Sequence, residues 1–224
     1  IITISNFVKN DLIKFTGVNP EKITVTLESA DELPKGNESV DELIGKKFIM
    51  YIGRPTPHKN LRRLIDAFAL LQKKYPDLTL ALAGKKDSNY ARHETYVNEH
   101  EIKNVVFTGF ISDEQLRWMY ENTAVYCFPS LSEGFGLPGL EAMLHGAPVA
   151  SSTATCLPET HGDAAHYFDP FSVEDIAKSI DDILSDDKLR NELVKKGKKH
   201  VKTFSWQRMA EQTLAVYEKY GRKS

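Results

Sequence analysis

Short apolar and β-branched runs alternate with longer segments of helical period, and this alternation constrains the fold more than any other feature of the sequence. The pattern predicts an α/β fold in which helices cover both faces of a parallel sheet. The predicted strands are Ile1–Ile4, Ile23–Leu27, Phe48–Ile52, Leu78–Ala83, Val105–Thr108, Val125–Phe128 and Pro148–Ser151. The helices predicted between them are Asn6–Phe15, Asn60–Lys74, Arg92–His100, Asp113–Glu121 and Gly139–His145.

The C-terminal third differs, because helical segments follow one another there with no predicted strand between them. Ser172 and Ser205 precede two of these segments, and serine is a preferred helix N-cap residue. A polar, turn-rich stretch over residues 29–45 predicts a connecting loop. The three predicted helices are Val173–Leu184, Lys188–His200 and Trp206–Tyr220. We expect residues 1–224 to form a single domain, since this length is ordinary for one α/β unit.

The composition indicates a globular protein whose ligand is a small molecule. Hydrophobic residues make up 41% of the chain, which is enough for a sizeable core. The formal net charge is -2, so no overall field attracts the protein to nucleic acid or to an anionic membrane. We therefore expect no nucleic-acid partner.

The two cysteines and the first residues bear on the compartment. Cys127 and Cys156 have no Cys-x-x-Cys or Cys/His spacing, so neither a disulfide framework nor a zinc site is expected, and a reducing compartment fits. Residues 1–5 lack an initiator Met, a basic segment and a long apolar run. We expect neither a signal peptide nor a spanning helix here, and a chain that begins within a longer protein.

A glycine-rich turn over residues 133–139 lies between a predicted buried strand and a helix. The carboxyl edge of a parallel sheet, where this turn falls, is where open α/β folds bind ligands. Gly134 and Gly136 allow close approach of a ligand or a positive φ. The helix that follows presents free amides, from about Phe135 to Leu137, and such amides bind anions such as a diphosphate.

Two carboxylates accompany this turn, Glu133 before the helix and Glu141 within its first turns. Both can face one crevice, where they would accept hydrogen bonds from the paired hydroxyls of a sugar and a ribose. The alternative interpretation is that Glu141 only complements the helix dipole and Glu133 is a solvated loop acid. These two residues alone do not decide between the interpretations.

The same turn also matches the dinucleotide fingerprint G-x-G-x-x-G over Gly134–Gly139, with Glu159 further along the chain. In a dinucleotide-binding fold, the glycines follow the first strand and the acid ends the second strand. Here the turn comes after several strand–helix units, and Glu159 lies well past the strand that ends near Ser151. The sequence therefore disfavours a nicotinamide or flavin site.

A second candidate loop follows the strand Phe48–Ile52 and begins at Gly53. Arg54 and Lys59 emerge from it at the same carboxyl edge, and two fixed cations on one rim suit a diphosphate. The alternative is a solvated loop with ordinary surface bases. Further turns at Gly84 and Phe110 could place backbone groups and an apolar face against a base.

Together these motifs resemble the retaining GT-B-fold glycosyltransferases of family 4, which include sucrose synthase and many bacterial mannosyltransferases. The segment from Ser130 to Val149 is similar to the E-x7-E signature of that family, and Gly53-Arg54 followed by Lys59 is similar to its basic loop. Further similar segments follow the family's order: Val106–Phe110, Leu157–Glu159 and Gly162–Ala165. The resemblance implies a Rossmann-like C-terminal domain that holds a nucleotide diphosphate sugar, with the acceptor held by an N-terminal domain outside this chain.

The resemblance also implies roles for single residues. Arg54 and Lys59 would neutralise the diphosphate leaving group, and Glu133 would hold the donor sugar. Preorganised cations and amides favour the negative charge that builds up on such a leaving group, so no metal or other cofactor is expected. The sequence contains no Asp-x-Asp triplet, in keeping with this expectation. The donor-binding residues implied are Gly53, Gly84, Phe110 beside the base, the amides of Phe135, Gly136 and Leu137, and Glu141 at the ribose.

Three positions depart from the family pattern. Residues 27–31 stand where relatives often have an Asn-Gly turn, which puts the shape of that loop in doubt. Asn60 replaces a frequent glycine, and His145 replaces a smaller residue. Neither of the last two changes removes an expected ligand contact.

The expected activity is transfer of a hexose to a glycan or a lipid-linked acceptor. The run from Ser130 to Glu159 most resembles mannosyltransferases, which favours GDP-mannose as donor, with a UDP-hexose second. The resemblance implies a cytoplasmic protein and leaves open a peripheral position at the inner face of the membrane. The alternatives are a stand-alone nucleotide-sugar-binding module and another GT-B enzyme, such as an epimerase or a phosphorylase.

Two further expectations concern the part of the protein outside this chain. In the two-domain fold, the last helix, Trp206–Tyr220, crosses back toward the N-terminal half. We therefore expect part of its apolar face to be uncovered here and to promote self-association. We also expect the chain alone not to transfer sugar.

Overall fold

A computed structural model describes residues 1–221 of the protein. The strands are β1 (Ile2–Thr3), β2 (Thr24–Val25), β3 (Phe48–Ile52), β4 (Thr79–Ala83), β5 (Val105–Gly109), β6 (Val125–Phe128), β7 (Val149–Ser152) and β8 (Ala165–Phe168). The α-helices are α1 (Asn6–Thr16), α2 (Leu61–Leu71), α3 (Ser88–Glu99), α4 (Asp113–Asn122), α5 (Leu137–Leu144), α6 (Leu157–His161), α7 (Val173–Ser185), α8 (Asp187–His200) and α9 (Trp206–Gly221).

Six of the strands form an all-parallel sheet in the order β5-β4-β3-β6-β7-β8. The chain runs outward from β3 to β5 and then returns to place β6 on the other side of β3. This reversal is the topological switch point of a doubly wound fold, and ligands bind in the crevice outside the carboxyl ends of the two strands that flank it. The loops that follow β3 and β6 therefore flank the crevice in which this kind of fold binds ligands.

The sheet separates two hydrophobic layers. Side chains alternate along β3, so that Phe48 and Met50 pack with α4 and α5, whereas Ile49 and Tyr51 pack with α2 and α7. Every residue of β4 and β6 is buried, as expected for strands covered on both faces. The predicted α/β fold with helices on both faces of a parallel sheet is confirmed.

Several predicted elements need correction. β1 and β2 pair with each other in a separate two-stranded sheet and do not join the six-stranded sheet. The prediction missed β8, a half-buried edge strand with the mixed sequence Ala-His-Tyr-Phe, and the five-residue helix α6. Both lack the long apolar periodicity on which the prediction relied. The three C-terminal helices are confirmed, as is the Ser172 N-cap, whose hydroxyl accepts a hydrogen bond from the Asp175 amide at 3.1 Å.

Some helices start at other residues than predicted. α2 starts after Asn60, whose φ of 58° is left-handed. α3 starts four residues before Arg92, because the Asp87 carboxylate caps it. α5 starts at Leu137, directly after Gly136. Two of these starts adjoin the candidate loops.

The segment formed by β1 and α1 lies against the glycine-rich turn. The Ser5 hydroxyl donates to the Gly134 carbonyl at 2.7 Å. The Glu159 carboxylate accepts hydrogen bonds from the backbone amides of Asn6 and Phe7 at 2.7 and 2.9 Å, which satisfies the first turn of α1. These contacts hold the N-terminal segment at the carboxyl edge of the sheet.

Candidate functional site

Glycines directly after β3 and β4 allow the backbones of the two strands to approach each other closely. The Gly53 amide donates to the Ala83 carbonyl, and the Gly84 amide donates to the Gly109 carbonyl, each at 3.0 Å. A Cβ atom at position 84 would lie 2.3 Å from the Gly53 carbonyl oxygen, so position 84 requires glycine. The two predicted donor-binding glycines are therefore neighbours at one strand edge.

Asn60 ties together three loops at this edge. Its side-chain amide donates to the carbonyl of Pro129 at 2.9 Å and to that of Pro170 at 2.8 Å, and the group is buried. These carbonyls belong to the loops after β6 and β8, while Asn60 ends the loop after β3. Its left-handed backbone suits asparagine, because asparagine tolerates this conformation better than most residues with a side chain.

Lys59 and Glu133 bring the two candidate loops together. The lysine Nζ lies 2.6 Å from Glu133 Oε1, and the two side chains are only 21% and 13% exposed. The same ammonium lies 5.8 Å from the centre of the Phe128 ring, at the end of β6. The loop after β3 thus delivers its lysine to the first residue of the glycine-rich turn.

Arg54 is held differently. Its Nε lies 3.0 Å from Asp87 Oδ2, and the arginine side chain is 72% exposed. The Asp87 carboxylate also accepts hydrogen bonds from the amides of Tyr90 and Asn89, and the Tyr90 amide and Arg54 hold the pKa of Asp87 below its usual value. The sequence reasoning did not identify Asp87, although an Asp-Ser-Asn run is a recognisable helix start. The two cations therefore leave the same loop but are bound by carboxylates of different loops.

The glycine-rich turn has the shape needed to present its amides. Gly136 adopts a φ of 102°, and within residues 1–221 the amides of Phe135, Gly136 and Leu137 donate to no acceptor. The Phe135 side chain is buried and packs edge-on against Phe204, with ring centres 5.9 Å apart. Phe135 can therefore contribute only its backbone, and the start of α5 offers three amides to an anion.

Glu141 lies half-buried in α5, where Tyr120 Oη donates to its Oε2 at 3.3 Å. Burial raises the pKa of Glu141; the Tyr120 hydrogen bond opposes this rise, and the carboxylates of Asp31 and Asp113 add to it. Tyr120 also stacks on the His145 ring, whose Nε2 accepts a hydrogen bond from the Leu33 amide at 3.2 Å. Tyr120 is not among the site residues predicted from the sequence.

Both acids influence one buried hydroxyl, that of Tyr126 in β6. Burial is the first cause that raises the pKa of Tyr126; Tyr120 and Tyr51 add to it, followed by Glu141 and Glu133. Both carboxylates therefore act on the hydroxyl of the same strand, one from the start of the glycine-rich turn and the other from α5. That both carboxylates face one crevice stays a prediction.

Phe110 lies apart from these groups. It follows β5, two strands away from β3, and its side chain is 86% exposed. Its neighbour Gly109 has a φ of 75° and turns the chain at the strand end. A place for Phe110 beside the base remains a prediction.

The structure accounts for the fingerprint match at Gly134–Gly139 without a dinucleotide. The turn follows β6, the first strand on the far side of the switch point, and not β3. Glu159, the acid expected to bind a ribose in that alternative, caps α1 instead. A Cβ atom at Gly139 would lie 2.3 Å from His161 Nε2, so the third glycine is required by packing.

Two features are absent from the described residues. Between residues 1 and 221, no group of three or more His, Cys, Asp or Glu side chains is arranged to hold a metal ion. In the same part of the chain, no helix has the length and apolar character needed to cross a membrane.

Comparison with known proteins identifies the family. Residues 36–200 match the sequence model of the family described as glycosyl transferases group 1, and this span includes both candidate loops. The chain belongs to that family. Group 1 membership agrees with the GT-B fold of its structural neighbours and accounts for the sheet order and the glycine-rich turn together.

Two relatives of the chain are named as mannosyltransferases. The O-antigen chain mannosyltransferase B of Escherichia coli is 32% identical over 231 residues, with 97% of this chain and 60% of the relative covered. The MMP alpha-(1->4)-mannosyltransferase of Mycolicibacterium hassiacum is 31% identical over 224 residues, with 98% of this chain and 54% of the relative covered. The chain thus spans little more than half the length of these relatives.

A solved structure with the same fold is the HepE protein of Anabaena, determined in complex with UDP and glucose. It superposes with a TM-score of 0.84 at 20% sequence identity, and the alignment covers 97% of this chain and 62% of that protein. At this identity the likeness establishes the fold of the group 1 chain.

Proposed function

We propose that the chain is the donor-binding domain of a retaining hexosyltransferase. In the complete protein it binds a nucleotide diphosphate sugar, with mannose favoured, and the hexose is transferred to a glycan or a lipid-linked acceptor. The single observation that carries the proposal is the Lys59–Glu133 contact of 2.6 Å, which joins the loop after β3 to the glycine-rich turn. This contact supports a site at the switch point in which a cation, a hydroxyl acceptor and the amides of the turn act together.

The chemistry proposed is stabilisation of the leaving group. Breaking the bond between the sugar and the diphosphate builds negative charge on the phosphate oxygens. The Lys59 ammonium and the amides of Phe135, Gly136 and Leu137 are fixed before the reaction, so they stabilise this charge without having to reorganise. Arg54 supplies a second cation, and its exposed guanidinium can exchange Asp87 for a phosphate. In this scheme, the protein groups do the work and no metal takes part.

The two acids are proposed to bind hydroxyl groups. Glu133 lies against Lys59 and is placed to accept hydrogen bonds from the donor sugar. Glu141 lies in the second turn of α5, where its carboxylate would accept hydrogen bonds from the ribose hydroxyls. Gly53 and Gly84 leave room for the nucleotide along the strand ends, and Phe110 is proposed to lie beside the base.

Mannose is favoured as the transferred sugar because both relatives described above are named as mannosyltransferases. A UDP-hexose is the second candidate, in keeping with the UDP and glucose bound to the Anabaena protein. Acceptor binding is assigned to the part of the protein beyond this chain, since the relatives are considerably longer. The chain alone is therefore proposed to bind the donor and not to transfer it.

Isothermal titration calorimetry of the chain against GDP-mannose, UDP-glucose and their nucleoside diphosphates tests the proposal. We expect the chain to bind at least one of these nucleotide sugars together with its nucleoside diphosphate, and such a sugar and diphosphate form a pair. Lys59→Ala should weaken both members of that pair by about tenfold, since hydrogen bonds to charged groups contribute ~1.5–3 kcal/mol. Glu141→Ala should weaken them similarly, and Arg54→Ala less, because its side chain is largely exposed.

Lys46→Ala is the matched control, because Lys46 lies before β3, at the opposite edge of the sheet. It should bind as the unsubstituted chain does. The proposal fails if no nucleotide sugar binds, or if Lys46→Ala weakens binding as much as Lys59→Ala. For the complete protein, NMR spectroscopy of the first product formed tests retention, and an inverted anomeric configuration would contradict it.

A further inference from the structure

The turn after β7 holds Glu133 by both of its backbone polar groups. The Thr155 hydroxyl accepts a hydrogen bond from the Glu133 amide at 3.0 Å. The Cys156 thiol donates to the Glu133 carbonyl oxygen at 3.2 Å. The side chain of the same glutamate contacts Lys59. Three groups from two other loops therefore fix one residue of the glycine-rich turn.

Thr155 is held in a conformation that its side chain disfavours. Its φ is 54°, in the left-handed region, where a β-branched residue is a genuine outlier. The Ser152 hydroxyl accepts from the Ala154 amide at 2.9 Å and stabilises the turn just before it. Glycine at position 155 would relieve the strain but could not supply a hydroxyl. Strained residues of this kind persist where the surrounding structure determines them, and they cluster at functional sites.

The strain has a geometric consequence for the glutamate. In this backbone conformation the Thr155 hydroxyl reaches the Glu133 amide, so a locally strained residue helps to fix the position of Glu133. Cys156, which is buried, holds the carbonyl on the other side of the same residue. A carboxylate that binds hydroxyls must be placed to within a fraction of an ångström, so the backbone behind it must not rotate.

We infer that Thr155 is a positioning residue that, together with Cys156, sets Glu133 against the donor sugar. Its role is to make the site prefer a nucleotide sugar over the free nucleoside diphosphate. The inference rests on the proposed function, in which Glu133 contacts the sugar and the amides contact the phosphates. Loss of the Thr155 hydroxyl then weakens binding of the sugar and leaves binding of the diphosphate unchanged.

The test compares GDP-mannose with GDP, or the UDP pair if that is the one bound, by calorimetry on the chain. Thr155→Val removes the hydroxyl and keeps the shape. It should weaken binding of the nucleotide sugar about fivefold, since one hydrogen bond contributes ~1 kcal/mol, and change binding of the diphosphate less than twofold. Thr155→Ser keeps a hydroxyl and should restore the preference. Thr153→Val is the control, because Thr153 lies in the same turn with an exposed side chain.

Thr155→Gly separates positioning from a merely structural role. It removes both the strain and the hydroxyl, so it should unfold at a temperature no lower than the unsubstituted chain and still lose the preference for the nucleotide sugar. Equal weakening of both ligands by Thr155→Val, or no weakening of either, overturns the inference while the proposed function stands. Failure of the unsubstituted chain to bind any nucleotide overturns the proposed function and this inference with it.

Discussion

His161 shows at the scale of one residue how the glycine-rich turn is supported from below. The imidazole is buried; Nε2 lies 3.3 Å from the Gly136 carbonyl and Nδ1 lies 3.1 Å from the Ser151 hydroxyl. A carbonyl can only accept, so Nε2 carries the hydrogen and the neutral ring accepts from the serine at Nδ1. Burial lowers the pKa of His161 to about 4, which keeps the ring neutral at physiological pH.

The lowered pKa predicts a loss of stability in acid. In the unfolded chain the imidazole titrates near its usual pKa of ~6.5, so between about pH 6.5 and 4 the unfolded state binds more protons than the folded state. The free energy of unfolding should therefore fall as the pH falls through that window, by about 3 kcal/mol from this group. Urea unfolding at pH 7, 5.5 and 4.5 measures the fall.

Substitution of His161 shows how much of the loss of stability in acid this residue causes. His161→Gln cannot titrate and should flatten the dependence of stability on pH across the window, at the cost of some stability at pH 7. His58→Gln, at an exposed loop position, should leave the dependence unchanged. An unchanged slope in His161→Gln would show that other groups cause the loss.

At the scale of elements, the position of α5 relative to α6 determines where the free amides point. Gly139 lies in the first turn of α5 and allows the helix to rest on the His161 ring. A side chain there would push the two helices apart and rotate the amides of the turn. The geometry of the proposed anion site thus depends on the absence of one methyl group.

Gly139→Ala should therefore affect both stability and binding. The added Cβ overlaps the ring at 2.3 Å, and overpacking of this kind costs about 1–3 kcal/mol. The shifted helix start should also weaken binding of the diphosphate itself, which distinguishes this variant from Thr155→Val. Chemical unfolding and calorimetry provide the two readouts. Gly221→Ala, where nothing lies within 4 Å of the added atom, is the control and should behave as the unsubstituted chain.

The central elements could be predicted from the sequence because their patterns are complete within each segment. β3 and β6 are continuous apolar runs, and their predicted bounds match the structure. The starts of α2 and α5 could not be predicted, since each depends on a left-handed residue, Asn60 or Gly136, whose conformation is set by contacts elsewhere in the fold.

The candidate site could be predicted in part for the same reason. The residue types at Lys59 and Glu133 indicated phosphate and hydroxyl binding, and the fold brings the two side chains into contact. Asp87 and Thr155 were missed because neither residue stands in a motif that indicates ligand binding, and their contacts with Arg54 and Glu133 appear only in the folded chain. The left-handed φ of Thr155 has no signal in the sequence, since a β-branched residue argues against that conformation.

At the scale of the whole molecule, α9 is the element with the least cover. None of its described residues is buried, and an apolar stripe runs along one side at helical spacing. The members of this stripe are exposed by 36% at Trp206, 56% at Leu214, 64% at Tyr217 and 56% at Tyr220. An uncovered stripe of large apolar side chains favours association.

We expect the chain to self-associate through this stripe as its concentration rises. Sedimentation velocity over a range of concentrations should show a growing fraction of larger species. Leu214→Lys combined with Tyr217→Lys should abolish that fraction without lowering the unfolding temperature, because both side chains are exposed. Glu211→Lys together with Glu218→Lys adds the same number of lysines to α9 outside the stripe and serves as the control. A monomer at every concentration would contradict the expectation.

The buried amide of Asn60 has a consequence for motion. One side chain joins the loops after β3, β6 and β8, so these loops cannot fluctuate independently. Their backbone amides should exchange with deuterium as one cooperative unit, and the entropy of ordering this wall of the crevice is already spent when the chain folds. A ligand that binds at this edge would meet loops that are already ordered, so little of the binding free energy would be lost in ordering them.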